Sequence, residues 1–194
     1  RPITRDTIAE ILPKLRPIDR LELDLMRRRP AEEELWHGAS ESRRSFAAYM
    51  DGDLVCIVGV KAVSVLSDVG HPWAMVTRAV DRPEVRRAFI SNSATTIDWL
   101  GQGFTRLWNL VAEENAMAVR WLRWSGFAFD GRSIELSGHR LLHFERVIDV
   151  RCGYSRALVN HDDGNGLNGG IGTVASAASG VVGAYSAIQS GNAA

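Results

Sequence analysis

Between Gly70 and Gly101 the chain contains no glycine. That absence excludes from the stretch a glycine-rich loop able to bring backbone N–H groups against a phosphate. Cysteine is scarce: Cys56 and Cys152 lie far apart with no CxxC spacing, so neither a metal site nor a disulfide framework is expected. Cys56, inside LVCIVGV, reads as a small core residue. Charge of one sign is lacking too. Lys plus Arg and Asp plus Glu number 23 each, which leaves no net field toward nucleic acid or a membrane. The start, RPITRDTIAEIL, has no apolar run of the secretory kind, so a reducing interior is the expected setting. Internal repeats are not evident. Finally, residues 164–194 carry no charged side chain, and Gly, Ala and Ser dominate them.

What is present suits one complete core with something appended: 194 residues, 45% of them hydrophobic. Ile3-Thr4 reads as a short strand, with Thr4 or Asp6 capping a helix through Leu12. Pro13 and Pro17 punctuate, and a second helix runs from about Asp19 to Arg29 with Leu21 and Leu25 at helical spacing. Pro30 and AEEELWHG predict another short helix with acids in its first turn. SFAAYM and LVCIVGVKAVSVL flank Asp51-Gly52, a strong hairpin signal. A strand at Trp73–Thr77 and a helix from Pro83 to about Leu100 follow, with Val85, Phe89, Ile97 and Leu100 facing the core. SIELSGHRLLHFERVI closes residues 1–150 as a hairpin about Ser137-Gly138.

The stretch Thr105–Phe127, TRLWNLVAEENAMAVRWLRWSGF, is the most telling. Leu107, Asn109 and Val111 alternate as in a strand, Asn115 is a good N-cap, and Gly126 is a natural left-handed helix stop. Together with the element order, this unit resembles the fifth strand and fourth helix of the GNAT acyltransferase fold. The resemblance implies an α/β (α+β) domain over 1–150, a mixed central sheet flanked by helices. It also implies a pyrophosphate loop, [QR]-x-x-G-x-[GA], ahead of the long helix. Here Arg86 as leading residue puts Phe89 and Ser91 at the glycine positions, and Arg87 puts Ile90 and Asn92 there. The family's general-acid tyrosine falls on Leu122, which cannot donate a proton.

The expectation is therefore no cofactor and no catalytic residue. The alternative is acetyl-CoA held near Arg86 and Arg87, with Glu113 or Glu114 as base; acids before a helix N-cap serve the helix dipole equally well. His71, His139 and His143 show no metal spacing, and no metal is expected. Asn109, in an apolar strand, either orients a ligand or bonds backbone. On helix 116–125, Ala118, Val119 and Leu122 share one face and Met117, Trp121 and Trp124 the next, leaving only Arg120 and Arg123 polar. That apolar arc spans about 220°, wide enough for a partner surface at Met117, Trp121 and Trp124.

Pro72-Trp73-x-Met75-Val76-Thr77, the glycine-free helix, Leu107-Trp108-Asn109 and the Asn115–Phe127 block together resemble the small GNAT-like internal virion proteins of short-tailed phages, the internal virion protein A class. The resemblance implies a structural role in virion assembly or genome ejection. The implied location is the particle, at the internal core, portal or tail, after assembly in the host cytoplasm. Its implied partners are other virion subunits or further copies of this chain, and no specific nucleic acid. The end of the chain departs from that pattern. Residues 151–172 read as a flexible linker and 173–194 as a small-residue arm, with Gly172, Ser176, Gly180 and Ala184 aligned at i+4. Packing on protein is the favoured expectation for the arm, contact with the host membrane the lesser one, and a disordered end the third reading.

Overall fold

The computed structural model describes residues 1–64 and 66–148; the linker and arm expected at 151–172 and 173–194 lie outside them. Thr4 opens α1 (Arg5–Ile11) through a reciprocal capping box with Thr7. The strand expected at Ile3-Thr4 does not form. Only Arg1 exchanges backbone hydrogen bonds with Ala47, because the capping box turns the chain into a helix immediately afterward. A short 3-10 turn leads to α2 (Pro17–Met26), which begins at its proline rather than at Asp19, and α3 (Ala31–Ser40) follows Pro30.

The sheet comprises β1 (Arg44–Met50), β2 (Asp53–Ala62), β3 (Val69–Val76), β4 (Arg106–Ala112), β5 (Ser133–Leu136) and β6 (His139–Val147). Their spatial order is β1-β2-β3-β4-β6-β5, six strands rather than the seven expected. Only the central β3–β4 pair is parallel. Both hairpin turns lie where the sequence puts them: Asp51 and Gly52 (φ 52 and 86) and Ser137 and Gly138 (φ 51 and 81) take the paired left-handed conformations of a tight hairpin.

Helices cover both faces. On one, Ile8, Ile11, Leu23 and Leu35 pack on Ile57 and Met75. On the other, α4 (Pro83–Gly101) and α5 (Ala116–Trp124) bring Ile97, Leu100, Val119 and Leu122 onto Leu107, Val111 and Phe144. Strand β2 is consequently buried on both sides, which is why its sequence is apolar without alternation. Asn115 caps α5 by accepting the Ala118 N–H, and Gly126 leaves the helix at φ 83, as its sequence predicts.

Gly59 in β2 sits beneath the Trp73 indole, whose N–H donates to Ser42 Oγ at 2.9 Å. A Cβ at position 59 would lie 2.6 Å from the ring. Gly59→Ala should therefore lower unfolding stability by about 1–3 kcal/mol, an overpacking cost exceeding any entropic gain. Urea denaturation of the folded variant checks this; unchanged stability would mean that the indole moves freely.

Candidate functional site

The two parallel strands at the centre pair for only two residues, Val69 with Arg106 and Gly70 with Leu107, and then diverge. Pro72 contributes to the break. Its carbonyl faces β4, where it accepts a hydrogen bond from Asn109 Nδ2 at 2.8 Å, and on that same edge proline has no N–H to offer. Side chains bridge the first part of the gap. His71 Nδ1 lies 3.0 Å from the Trp108 carbonyl, and Asn109 Oδ1 accepts the Leu110 N–H.

Farther along, the backbone groups of the diverging strands find partners on the N-terminal segment. Leu15 bridges Thr77, and the Arg16 N–H donates to the Val76 carbonyl. Asp19 Oδ1 accepts the Val76 N–H at 3.2 Å, and Glu22 Oε1 accepts the Ala112 N–H at 2.8 Å. Two carboxylates three residues apart on α2 thus satisfy one strand each. Arg16 Nε holds Asp19 at 2.6 Å. Burial still raises the Asp19 carboxyl above its ordinary value, against that guanidinium. Glu22 has no ion-pair partner among the described residues, and burial drives its carboxyl from 4.5 up to about 7. The Ala112 N–H and the Asn115 side chain only partly oppose that rise.

This wedge opens a cavity of about 820 Å3 between the diverging strands and helices α4 and α5. Its wall is mostly carbon, with Phe89 and Trp121 prominent, and with Arg16, Asp19, Glu22, Arg86 and Arg120 as its charged residues. Phe89 and Trp121 rings lie 5.6 Å apart, and the Trp121 indole N–H donates to Ser93 Oγ at 2.8 Å. Cys56, also on the wall, has its thiol pushed up to about 12 by burial and is inert as a nucleophile.

An anion cradle would lie at the N-terminus of α4. The helix already begins at Pro83, with Glu84 in its first turn. Arg86 lines the cavity, but its guanidinium donates to the Val80 and Asp81 carbonyls at 3.3 and 3.0 Å. Arg87, the next residue around the helix, is exposed and off the wall, so the two arginines do not converge. Phe89 fills space with its ring, while Ser91 and Asn92 turn back to the Ala88 carbonyl.

Glu113 and Glu114 are exposed at the end of β4, outside the cavity wall. Glu113 pairs with Arg140 at 3.4 Å and Glu114 with His139 at 2.9 Å, which holds the Glu114 carboxyl below its ordinary range. Leu122 is in the apolar core. On the opposite sheet face, Asp130, His143 and Glu145 place potential ligand atoms within 4.8 Å of one another, a grouping their spacing in sequence does not reveal. The Arg132 guanidinium pairs with both acids and supplies the cation there. Of the α5 interaction residues, Trp121 turns inward, whereas Met117 and Trp124 are 39% and 61% exposed. Gly172, Ser176, Gly180 and Ala184 lie outside the described residues. Among the described residues no helix is long and apolar enough to cross a membrane.

Sequence reasoning missed Arg16, Asp19 and Glu22 as site residues. Acids at i and i+3 beside Leu23 were the available signal, but an apolar-stripe reading of α2 favours Leu21 and Leu25, which are only half-buried.

The chain matches no family model and no curated protein. Solved structures do share its architecture. An acetyltransferase of the GNAT family from Streptococcus pneumoniae superposes with a TM-score of 0.53 at 14% identity, over 77% of this chain and 98% of that one. A ribosomal-protein-alanine N-acetyltransferase from Brucella melitensis gives 0.56 at 13% identity, over 76% and 98%. The spermidine N-acetyltransferase from Vibrio cholerae, in complex with CoA and spermine, gives 0.55 at 14% identity, over 76% and 93%. At such identities the likeness establishes the architecture: this is a GNAT-like fold, a mixed sheet flanked by helices.

Glu22 gives the site a pH signature. Because its folded carboxyl binds a proton more tightly than the unfolded one, its contribution favours folding below 4.5 and is lost as pH rises toward about 7. Glu22→Gln, which keeps an acceptor for the Ala112 N–H, should gain roughly 2–3 kcal/mol over the native chain at about pH 8. The gain should shrink toward zero at about pH 5. Paired denaturant titrations at the two pH values measure it, and a pH-independent difference would contradict the assignment.

Proposed function

We propose that this chain is a GNAT-fold interaction module rather than an acyl-CoA transferase, working as an internal or structural protein of a phage particle. The observation that carries the reading is the first turn of α4. Where a coenzyme diphosphate would need open backbone N–H groups, there is a proline without one, an acid at Glu84, and an Arg86 committed to carbonyls. The phage placement rests on the resemblance to internal virion proteins of the A class. Its partners would be other virion subunits or further copies, reached through exposed Met117 and Trp124 and through the arm at 173–194. The particle and, during assembly, the host cytoplasm are its proposed locations, and membrane contact by the arm is the lesser role.

A second reading, an acetyl-CoA-dependent N-acyltransferase acting on a protein amine, has two supports. The solved neighbours named above are acetyltransferases, which weighs on this side. The open cavity also presents Glu22, a carboxylate able to take a proton near neutral pH. On this reading Glu22 is better placed as base than Glu113 or Glu114, which face the β5–β6 hairpin instead.

Acetyl-CoA separates the two. A ligand at a hundredfold excess over its Kd adds about 2.7 kcal/mol, which moves the melting temperature by several degrees. The interaction module should show no shift with millimolar acetyl-CoA; a shift of that size would favour the transferase. Deleting residues 164–194 should leave the domain folded by circular dichroism yet absent from purified particles by mass spectrometry. Normal incorporation would remove the arm from the docking scheme.

A further inference from the structure

We propose that Asp130, His143 and Glu145 form a binding site for a divalent transition-metal ion of the Zn2+ class, and that the Arg132 guanidinium competes with the ion for these ligands. The site lies over β6, on the sheet face away from α4 and α5, and nothing in it depends on the cavity or on acyl transfer.

The backbone builds the grouping. His143 and Glu145 are two apart on β6 and therefore share a face of the sheet. Ala128 exchanges both backbone hydrogen bonds with Glu145, at 2.8 and 2.9 Å, and Ser133 stands opposite Leu142. Residues 129–132 thus face only His143 and Phe144, so the extra length bulges out above the His143 ring. The His143 N–H donates to the Arg132 carbonyl at 2.9 Å, and Asp130 Oδ1 accepts the Arg132 N–H at 3.0 Å, which ties the bulge down. From below, the Trp108 indole packs on the His143 ring with centroids 5.3 Å apart.

The donor set is one imidazole and two carboxylates, with an atom of each within 4.8 Å of the others. His143 Nδ1 and Asp130 Oδ2 are 3.2 Å apart. Ligands at roughly 2.0–2.1 Å from a tetrahedral zinc stand about 3.3 Å from one another, so that edge is already in place. His143 is 3% exposed, and Glu145 Oε2 is buried without a hydrogen-bond partner. Arg132 Nη2 pairs with Asp130 and stands 3.3 Å from His143 Nδ1, but 3.6 Å from Glu145 Oε2. The Arg106 guanidinium is 3.8 Å from the same Glu145 oxygen. A guanidinium nitrogen therefore sits among all three ligands without bonding all three. A metal ion does so at once, and two carboxylates match its double charge. The imidazole favours a zinc-like ion over Mg2+, which prefers an octahedron of oxygens. With 53% of its side chain exposed, Arg132 has open solvent to turn into when the ion displaces it.

Two-dimensional NMR of the full chain provides the test, reading the His143 ring and Arg132 Nε–H signals, with zinc chloride and magnesium chloride as probes. Zinc should shift both signals saturably, and magnesium at the same concentration should leave them in place. Arg132→Gln removes the competitor and should tighten zinc about tenfold, read at the His143 ring. Asp130→Asn, its fold verified by the same spectrum, should weaken zinc at least about tenfold. Zinc taken up only elsewhere on the chain would leave both signals still and would count against the site. Equal response to magnesium, affinity unaltered or weaker in Arg132→Gln, or affinity unaltered in Asp130→Asn would each overturn it.

Discussion

The constraint on which the site depends is the failure of two neighbouring strands to stay paired. After Gly70 and Leu107 the β3–β4 ladder stops, and a sheet interior cannot leave its N–H and C=O groups unmet. Pro72 removes one donor from the facing edge, His71 and Asn109 bridge the next stretch, and α2 supplies Asp19 and Glu22 for the rest. Remove those carboxylates and the Val76 and Ala112 N–H groups would be stranded in apolar surroundings, at a penalty of about 1–3 kcal/mol each. The cavity is thus a maintained opening. The same acids that satisfy the strands are the ones that give it polarity.

That arrangement also accounts for what is odd about α4. In a cleft that grips a diphosphate, the helix N-terminus must present free N–H groups to solvent. Here Pro83 takes the first helical position, Arg86 secures the turn before the helix through the Val80 and Asp81 carbonyls, and Val80 and Val85 join the core behind it. Phe89 continues inward to Trp121. The helix start serves packing against the core, beside a cavity whose interior stays open.

Much of the architecture was legible because local chemistry was unambiguous. Asp51-Gly52 and Ser137-Gly138 dictate hairpins, Asn115 and Gly126 bracket α5, and the uninterrupted apolar run of β2 reflects burial on both faces. The site was less legible, since its polar residues take their roles from distant backbone. Nothing near Asp19 or Glu22 in sequence announces that Val76 and Ala112 need acceptors. Their inward positions contradict the apolar-stripe rule by which α2 was read. Likewise Ile3-Thr4 looks strand-like until the Thr4–Thr7 capping box is considered. Trp121 and Trp124 share an apolar arc in the sequence, yet one is held by Ser93 and the other remains exposed.

The partners of the α2 acids are separated from them by 57 and 90 positions. As the chain leaves the ribosome, Glu22 emerges early and waits through the synthesis of β1, β2, β3 and α4 before its acceptor bond can be made. Such late, long-range closure raises contact order and slows folding. Until Ala112 arrives, Glu22 stays in water, where a charge costs nothing to carry. Closing this part of the sheet is therefore a dehydration, in which a solvated carboxylate is drawn against the Ala112 N–H while burial raises the cost of its charge.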